Sequence, residues 1–382
     1  MNKVLELSKE LIACPSVSPE DAGCQDIIIS RLEKSGFFCR RLNYGNVKNF
    51  WATHGKGSPC ICFAGHTDVV PVGLFSEWSY PPFDPVVSNG YLYGRGACDM
   101  KTGLAALVVA AEDFVTEFPD HSGTICFLVT SDEESYAIDG TAKVVKWLKE
   151  QNVEIDFCLV GEPVSLSRIG DRIKNGARGS LSCNFTVSGT QGHVSYENAN
   201  NACHNALAFL TNLVSHHWDC GNNNFQKTSL QITNIKAGVG VDNVVPGSCY
   251  VAINIRYCPD HHESDLKAEI DQIILDTRVT LSNKKWVSGA IPFYSNTGYM
   301  SEVLSKQTEL ITGYRPVVNT KGGASDGRFI VDICREVVEF GVVGDTAHQV
   351  DERVLVSDVD ILVGIYRGVL DELLSYREGV SK

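Results

Sequence analysis

The sequence predicts an α/β protein in which a mostly parallel sheet, flanked by helices, is interrupted by a smaller α+β insert. Up to about Gly176, short apolar runs rich in Val, Ile, Leu and Phe alternate with helix-like stretches, which is typical of a parallel sheet covered on both faces. Alternating strands then surround two helix-like segments, and a helix, strand, helix pattern returns near Ile291. A chain of 382 residues is long enough for two such domains.

The individual elements follow from apolar periodicity. The first part of the larger domain, 1–178, begins with an amphipathic helix and carries expected strands at 61–64, 124–130 and 157–160 and helices at 100–118 and 141–150. The insert, 179–290, carries expected strands at 181–187, 229–235 and 249–257 and helices at 202–218 and 262–276. The last part, 291–382, carries a strand at 337–343 and a closing helix at 359–374, and we expect it to complete the first domain's sheet.

Charge and hydropathy argue against nucleic acid and membranes as partners. The net charge of -13 repels phosphate backbones and anionic lipids, and no dense Lys/Arg run offsets it. The N-terminal segment lacks the apolar centre of a signal peptide, and no apolar stretch reaches the ~18 residues that span a bilayer. We therefore expect a cytoplasmic protein, in which the 14 cysteines are mostly buried, reduced thiols.

Acidic and histidine residues follow the predicted strands where each strand ends, and one more follows a glycine-rich turn that opens a helix. In chain order they are His66, Asp68, Asp99, Glu133, Glu134, Glu162 and His348. Because the carboxyl ends of strands in an open α/β sheet converge on one crevice, we expect these side chains to lie close together.

Each of these residues alone has a simpler interpretation. Asp99 could cap the helix that follows it, and Glu162 could be a turn residue before a proline. The two histidines could be hydrogen-bonded core residues, and the paired glutamates a solvated helix start. Several acids in one crevice, however, repel each other strongly unless cations are bound.

Three carboxylates and two imidazoles suit a pair of zinc ions that share one carboxylate and leave a position open for water. Two neighbouring ions can polarise a carbonyl and activate that water for attack. The additional acid, Glu133, could then accept the proton of the water and pass it to a leaving amine. Asp68, two residues after His66, is placed to orient the imidazole.

Eight motifs occur in an order that resembles a known family. They are GHTDVVP, GRGACDMKTG, TSDEES, LVGEP, NGARGSL, GTQGHVSY, GGASDGR and TAHQVDERV. On these motifs, which span nearly the whole chain, the sequence resembles the bacterial succinyl-diaminopimelate desuccinylases of the dizinc aminoacylase and carboxypeptidase superfamily.

The resemblance implies two Zn²⁺ per subunit, with Co²⁺ as an alternative ion in the second site. It implies that Asp99 bridges the ions, that His66 and Glu162 bind one of them, and that Glu134 and His348 bind the other. The substrate implied is a small N-acyl amino acid.

For the insert, the resemblance implies a ferredoxin-like dimerisation and lid domain, and therefore a homodimer. His193 would reach the active site of the second subunit and stabilise the developing oxyanion there. Asn243 would contact substrate across the same dimer. Arg178, Tyr196 and Arg256 match positions near the substrate, where anionic groups need donors.

The implied reaction is hydrolysis of N-succinyl-LL-2,6-diaminopimelate to succinate and LL-2,6-diaminopimelate, a step in bacterial lysine and diaminopimelate biosynthesis. Three positions depart from the family pattern: Ala177 stands for arginine, Ala324 for threonine and Gly344 for asparagine. These departures concern how the substrate is held. Two alternatives stay open. One is a deacylase similar to acetylornithine deacetylase or aminoacylase, and the other is a metal-free binding relative that has lost catalysis.

Overall fold

The computed structural model describes residues 2–375 of the chain. Its helices are α1 (Lys3–Ile12), α2 (Cys24–Lys34), α3 (Lys101–Glu117), α4 (Thr141–Glu150), α5 (Ala202–Ser215), α6 (Glu263–Thr277), α7 (Tyr299–Thr312), α8 (Gly327–Ile330) and α9 (Val356–Leu374). Its strands are β1 (Phe38–Arg41), β2 (Asn49–Lys56), β3 (Cys60–His66), β4 (Val86–Ser88), β5 (Tyr91–Tyr93), β6 (Gly123–Thr130), β7 (Ile155–Val160), β8 (Arg172–Lys174), β9 (Gly176–Ala177), β10 (Gly179–Ser188), β11 (Gly192–His193), β12 (Ser229–Ala237), β13 (Val244–Val245), β14 (Ser248–Tyr257), β15 (Leu281–Ser288), β16 (Phe293–Tyr294), β17 (Val317–Asn319), β18 (Cys334–Glu339) and β19 (Arg353–Leu355).

The chain folds into two compact units. Unit 1 combines the chain up to Gly176 with the chain from Ser295 onward, and unit 2 is Ala177–Tyr294. The expected insert, 179–290, lies within unit 2.

Unit 1 is built on an eight-stranded sheet in the order β1-β2-β6-β3-β7-β18-β8-β17. Strand β3 runs parallel to both β6 and β7, β7 runs parallel to β18, and β8 runs parallel to β17. The remaining neighbours are antiparallel. The predicted mostly parallel sheet is thus confirmed, and the shared direction of β3, β6, β7 and β18 brings their carboxyl ends to one edge.

Two groups of helices pack against this sheet. One contains α1, α3, α7 and α9, and the other contains α4 and α8. Helix α3 is buried almost throughout because its apolar face is wide, with Leu104 to Ala111 all at 3% exposure or less. Gly103 lets α3 approach the end of β7, since a Cβ atom there would lie 2.3 Å from the Gly161 carbonyl oxygen.

The strand expected at 337–343 is shifted, and this prediction was wrong at its carboxyl end. Strand β18 covers Cys334–Glu339, and the chain leaves the ladder after Glu339. Phe340 and Val342 are nevertheless fully buried. Their apolar character reflects packing in the core beyond the strand, which apolar runs alone cannot distinguish from strand.

Unit 2 has its own sheet and its own core. Its strands form an antiparallel sheet in the order β12-β14-β10-β15, with α5 following β10 and α6 following β14. This is the βαββαβ arrangement of ferredoxin-like folds. Phe185, Phe209, Ile253 and Leu266 are buried together in its core. A separate pair of short strands, β11 and β13, forms a ribbon.

Two further features bear on the expectations from composition. Within residues 2–375, no helix combines the length and the apolar character needed to cross a bilayer. The cysteines, all of which lie in that range, are free thiols, and most of them are buried.

Candidate functional site

Five side chains with metal-binding atoms meet at the carboxyl edge of the unit 1 sheet. His66 is the last residue of β3, and Glu162 follows β7 after one glycine. Glu134 lies in the irregular segment between β6 and α4, Asp99 precedes α3, and His348 lies in the loop after β18. The convergence comes from the common direction of these strands.

The five residues form two groups that share Asp99. In the first group, His66 Nε2 lies 3.3 Å from Asp99 Oδ1 and 3.7 Å from Glu162 Oε1. In the second, His348 Nε2 lies 3.3 Å from Asp99 Oδ2 and 2.9 Å from Glu134 Oε1. Within each group the ligand atoms lie within 4.8 Å of one another.

The spacing suits a pair of tetrahedral metal ions. Ligand atoms that each lie about 2.0–2.1 Å from a tetrahedral zinc ion are about 3.3 Å apart. His66 Nε2 and Asp99 Oδ1 are buried and have no hydrogen-bond partner among the described residues, although polar atoms in such positions are normally paired. A cation between them would satisfy both atoms.

Electrostatics at the site also indicate a need for positive charge. Burial raises the pKa of Glu162 well above its usual range, and the nearby Asp99 carboxylate raises it further. Burial also acts to raise the pKa of Asp99, but the neighbouring imidazoles of His348 and His66 outweigh it, so the pKa is lowered. Hydrogen bonds to Asp99 and then to Glu134 raise the pKa of His348 to about 10.

Asp68 lies beside His66 but makes different contacts from those expected. Its backbone carbonyl accepts the His66 Nδ1 proton at 2.9 Å, which leaves Nε2 facing Asp99. Its carboxylate accepts the backbone N–H groups of Glu133 at 3.3 Å and Glu134 at 3.1 Å. The Asp68 side chain therefore orients the two glutamates, while its main chain orients the imidazole.

Two of the simpler interpretations are excluded by the local structure. Asp99 does not cap α3, because the residue at the N-cap is Met100 and no side chain bonds to that end of the helix. Glu133 and Glu134 do not begin a helix, since α4 starts at Thr141.

Burial raises the pKa of Glu133 well above its usual range.

A buried glutamate that the sequence interpretation missed supports the turn that carries Asp99. Glu352 is fully buried, and its Oε1 accepts the backbone N–H groups of Cys98 and Asp99, each at 2.9 Å. Its Oε2 accepts from Arg95 Nη1 at 2.6 Å. Its place in the TAHQVDERV motif, four residues after His348, was the available signal.

Four of the five potential ligands line a cavity of about 220 Å³ in unit 1, namely Asp99, Glu134, Glu162 and His348. On its walls are also Arg172, Lys174, Ser325 and Glu339, none of which sequence reasoning selected. Lys174 Nζ donates to Glu339, and Ser325 Oγ donates to the same carboxylate at 2.6 Å. Ser325 lies in the GGASDGR motif, but no role was assigned to it, and the other members come from separate strands.

The other predicted site residues belong to unit 2. His193 is exposed in β11, where its Nδ1 lies 2.7 Å from Ser195 Oγ, and the His193 and Tyr196 rings are 6.1 Å apart. The Asn243 backbone carbonyl accepts the Val194 N–H at 3.3 Å, and the Tyr196 N–H donates to the His193 carbonyl at 3.2 Å, so the three predicted residues lie together at one end of the ribbon.

Of the two predicted arginines of unit 2, Arg178 lies just before β10 and Arg256 lies on the main sheet. Arg178 donates to the Lys227 carbonyl at 3.1 Å and to Ser229 Oγ at 3.2 Å. Arg256 is an exposed residue of β14. Burial, and then the charge of Arg256, lower the pKa of Arg178.

Unit 2 also brings Asp219, Cys258 and His261 together, with one potential ligand atom from each within 4.8 Å of the others. The Asp219 carboxylate already accepts the backbone N–H of Gly221 at 2.6 Å and of Thr228 at 3.1 Å, and it bonds His261 Nε2 at 3.0 Å. A carboxylate with these partners organises a turn without a metal.

Comparisons with known proteins identify the family of the chain. A relative from Nitrosospira multiformis, named succinyl-diaminopimelate desuccinylase, is 46% identical over 98% of this chain and 99% of its own length. Among solved structures, a metallo-carboxypeptidase of the M20 family from Sulfolobus solfataricus is 16% identical, covers 97% of this chain and 99% of its own, and has a TM-score of 0.78.

A dinuclear metal binding peptidase of the same family from Bacillus subtilis is 14% identical, covers 96% of both chains and has a TM-score of 0.66. At these identities the solved structures support the fold alone. A family model described as Peptidase family M20/M25/M40 matches residues 62–372. With more than half of the chain matched by that model and close identity to the Nitrosospira relative, the chain belongs to peptidase family M20/M25/M40.

Proposed function

We propose that the protein is a two-metal amide hydrolase that converts N-succinyl-LL-2,6-diaminopimelate and water into succinate and LL-2,6-diaminopimelate. The observation that carries this proposal is the 46% identity, over 98% of the chain, to a relative named for that activity. We expect the protein to be cytoplasmic. We expect the reaction to be a step in lysine and diaminopimelate biosynthesis.

The two groups that share Asp99 are the proposed metal ligands. His66 and Glu162 would bind one divalent ion, and Glu134 and His348 the other, with Asp99 between them. Zn²⁺ is the expected ion in both sites, and Co²⁺ is an alternative in the second. When bound, such a pair polarises the acyl carbonyl and lowers the pKa of a water molecule.

Glu133 is the proposed proton carrier. Its backbone is fixed by Asp68, and its side chain lines the cavity beside Asp99 and Glu134. The water oxygen forms a bond to the acyl carbon, the carbon–nitrogen bond breaks, and Glu133 transfers the proton from the water to the departing amine. A raised pKa suits a group that must hold a proton between these steps.

The exposed ribbon of unit 2 is the proposed means by which a dimer completes each site. His193 of one subunit would stabilise the oxyanion in the other, with Asn243 and Tyr196 contacting substrate there. Arg178 and Arg256 would bind its anionic groups. Mixing Glu133→Gln with His193→Ala tests this arrangement, because a mixed dimer regains one complete site.

Random mixing of the two inactive variants should therefore restore about a quarter of the parent activity. If the mixture stays as inactive as its components, His193 does not act across a dimer. Light scattering on the parent protein provides the independent check that it is a dimer.

Metal content measured alongside hydrolysis tests the function itself. Purified protein reconstituted with zinc should bind about two ions per chain. It should hydrolyse the N-succinyl substrate with a higher kcat/KM than the N-acetyl counterpart. Turnover of the acetylated compound alone would identify a deacylase of another specificity, and an inactive metal-free protein would indicate a binding relative.

A further inference from the structure

The cavity wall contains one cation whose charge is not balanced by an ion pair. Arg172 is 8% exposed and lines the same cavity as Asp99 and Glu133. Its Nε donates to the Val164 carbonyl at 2.5 Å, and its Nη1 donates to the Lys321 carbonyl at 3.2 Å. No carboxylate of residues 2–375 forms a salt bridge with it.

The nearest acids in sequence and space have other partners. The Asp171 carboxylate accepts the backbone N–H groups of Leu166 and Ser167, each at 2.9 Å. Glu339 accepts from both Lys174 and Ser325, so that acid and that lysine balance each other. Arg172 therefore contributes to the cavity wall a positive charge that has no ion-pair partner among the described residues.

Arg172 also keeps donors available. A guanidinium has five N–H groups, and the two hydrogen bonds above use two of them, one from Nε and one from Nη1. The planar arrangement of the remaining groups matches a carboxylate, which can accept two parallel bonds. Holding a guanidinium in a largely buried position without an ion pair is costly, which favours a role that uses its charge.

Few other side chains of the cavity can donate to an anion. Ala324 lines the wall with a methyl group, and Lys174 and Ser325 are already bonded to Glu339.

From these contacts we infer that Arg172 binds a carboxylate of the substrate and thereby determines specificity for an anionic acyl amino acid. The inference rests on the proposed function. The carboxylate belongs either to the succinyl group or to the amino-acid part, and the two sources share the same chemistry. Arg172 acts in binding and takes no part in bond cleavage.

Arg172→Gln tests the inference with two substrates, N-succinyl- and N-acetyl-LL-2,6-diaminopimelate. Loss of a charge-assisted contact should raise the KM for the succinylated substrate by about 10- to 100-fold, with a much smaller change in kcat. If the succinyl carboxylate is the partner, the KM for the acetylated substrate stays unchanged. If the amino-acid carboxylate is the partner, both KM values rise.

The matched control is Arg168→Gln, four residues earlier in the chain. The Arg168 guanidinium lies 3.6 Å from the centre of the Tyr314 ring and does not line the cavity. That variant should keep the parent KM for both substrates. Equal KM values in Arg172→Gln, Arg168→Gln and the parent would overturn the inference.

Arg172 could instead have only a structural role, in which it holds the Val164 and Lys321 carbonyls. The Arg172→Lys variant and a melting-temperature measurement distinguish that role from substrate binding. Arg172→Lys keeps a cation that can still donate, so its KM should rise less than that of Arg172→Gln. A structural role predicts instead a lower melting temperature with kcat and KM disturbed alike for both substrates.

Calorimetry with succinate and with free LL-2,6-diaminopimelate tests whether Arg172 binds a substrate carboxylate, and it requires no turnover. The parent should bind succinate about tenfold or more tightly than Arg172→Gln if the succinyl carboxylate is the partner, and free LL-2,6-diaminopimelate should show that difference if the amino-acid carboxylate is. Parent protein that binds these ligands but fails to hydrolyse the substrate would remove the proposed function and leave the Arg172 inference standing. Equal affinities of parent and variant for both ligands would remove the inference alone.

Discussion

The backbone of Asp99 is held by Glu352, whose Oε1 accepts the Asp99 N–H at 2.9 Å. Asp99 is the one residue shared by both groups of potential metal ligands, so a shift of its backbone would disturb both. Glu352 lies in the segment just after His348 and joins two distant parts of the chain at the site. Burial acts to raise the pKa of Glu352, and the N–H of Asp99 and Arg95 act against it.

Glu352→Gln should weaken metal binding while the protein stays folded. The amide keeps one oxygen, but its NH₂ group cannot accept from Arg95 or from the backbone. Loss of such an outer contact typically lowers metal affinity or activity by about 10- to 100-fold. Zinc titration followed by calorimetry measures the change. Glu10→Gln, at an exposed position of α1, is the control, and equal zinc affinity in both variants would contradict the role given to Glu352.

Glu133→Gln should abolish turnover without emptying the metal sites. The glutamine cannot carry a proton, and positioned acid–base groups contribute about 10²- to 10⁴-fold to rate. We expect kcat to fall by at least that amount while bound zinc stays at the parent level. Glu134→Gln, one residue later, should instead lose metal. Elemental analysis of bound zinc and measurement of kcat distinguish the two variants. A Glu133→Gln variant with parent activity would refute the role of Glu133 as proton carrier.

Removing metal should lower both activity and stability. An ion that binds only the folded protein stabilises it by about 2.7 kcal/mol when its free concentration is 100 times its Kd. Dialysis against a chelator should therefore lower the melting temperature and abolish hydrolysis, and added Zn²⁺ or Co²⁺ should restore both. Cys258→Ser, in the hydrogen-bonded turn of unit 2, should respond to the chelator as the parent does. Full activity after complete metal removal would exclude metal-dependent hydrolysis.

Gly103→Ala should destabilise unit 1 at the point where α3 meets the end of β7. The new Cβ atom would lie 2.3 Å from the Gly161 carbonyl oxygen, next to Glu162. Overpacking of this kind typically costs about 1–3 kcal/mol. The control is Gly364→Ala in α9, where the Cβ atom would lie 3.3 Å from the end of the Ile311 side chain, which can move. Denaturant unfolding should show a clear loss of stability only for Gly103→Ala.

Apolar periodicity and strand ends were enough to predict the sheet and the meeting of the potential ligands. His66, Glu134 and Glu162 each follow an apolar strand, and strand direction then brings them to one edge. His348 was predicted from the loop after a strand and Asp99 from the glycine-rich turn that opens a helix, and the resemblance supplied only their assignment to the two ions. In unit 2, strands at 181–187, 229–235 and 249–257 were predicted from alternating hydropathy, and the resemblance supplied the ferredoxin-like arrangement. Strand β15 was missed because most of its residues are exposed and polar, so it carries no apolar alternation.

The contacts that support the site could not be predicted in the same way. Glu352 and Arg172 are buried charges, and local sequence gives no measure of which distant backbone groups will bond to them. The carboxyl end of β18 was missed because buried residues beyond a strand, such as Phe340 and Val342, continue the apolar pattern. Asp68 shows the same limit, since its main chain and side chain orient different residues.

The position of β18 in the sheet has a consequence for the order of events during synthesis on the ribosome. Strand β18 fits between β7 and β8, although residues 177–294 are translated before it. Until then the nascent chain exposes an open edge of β7, a feature that chaperones commonly shield. His348 is translated later still, so the second group of potential metal ligands is complete only when that segment has been made.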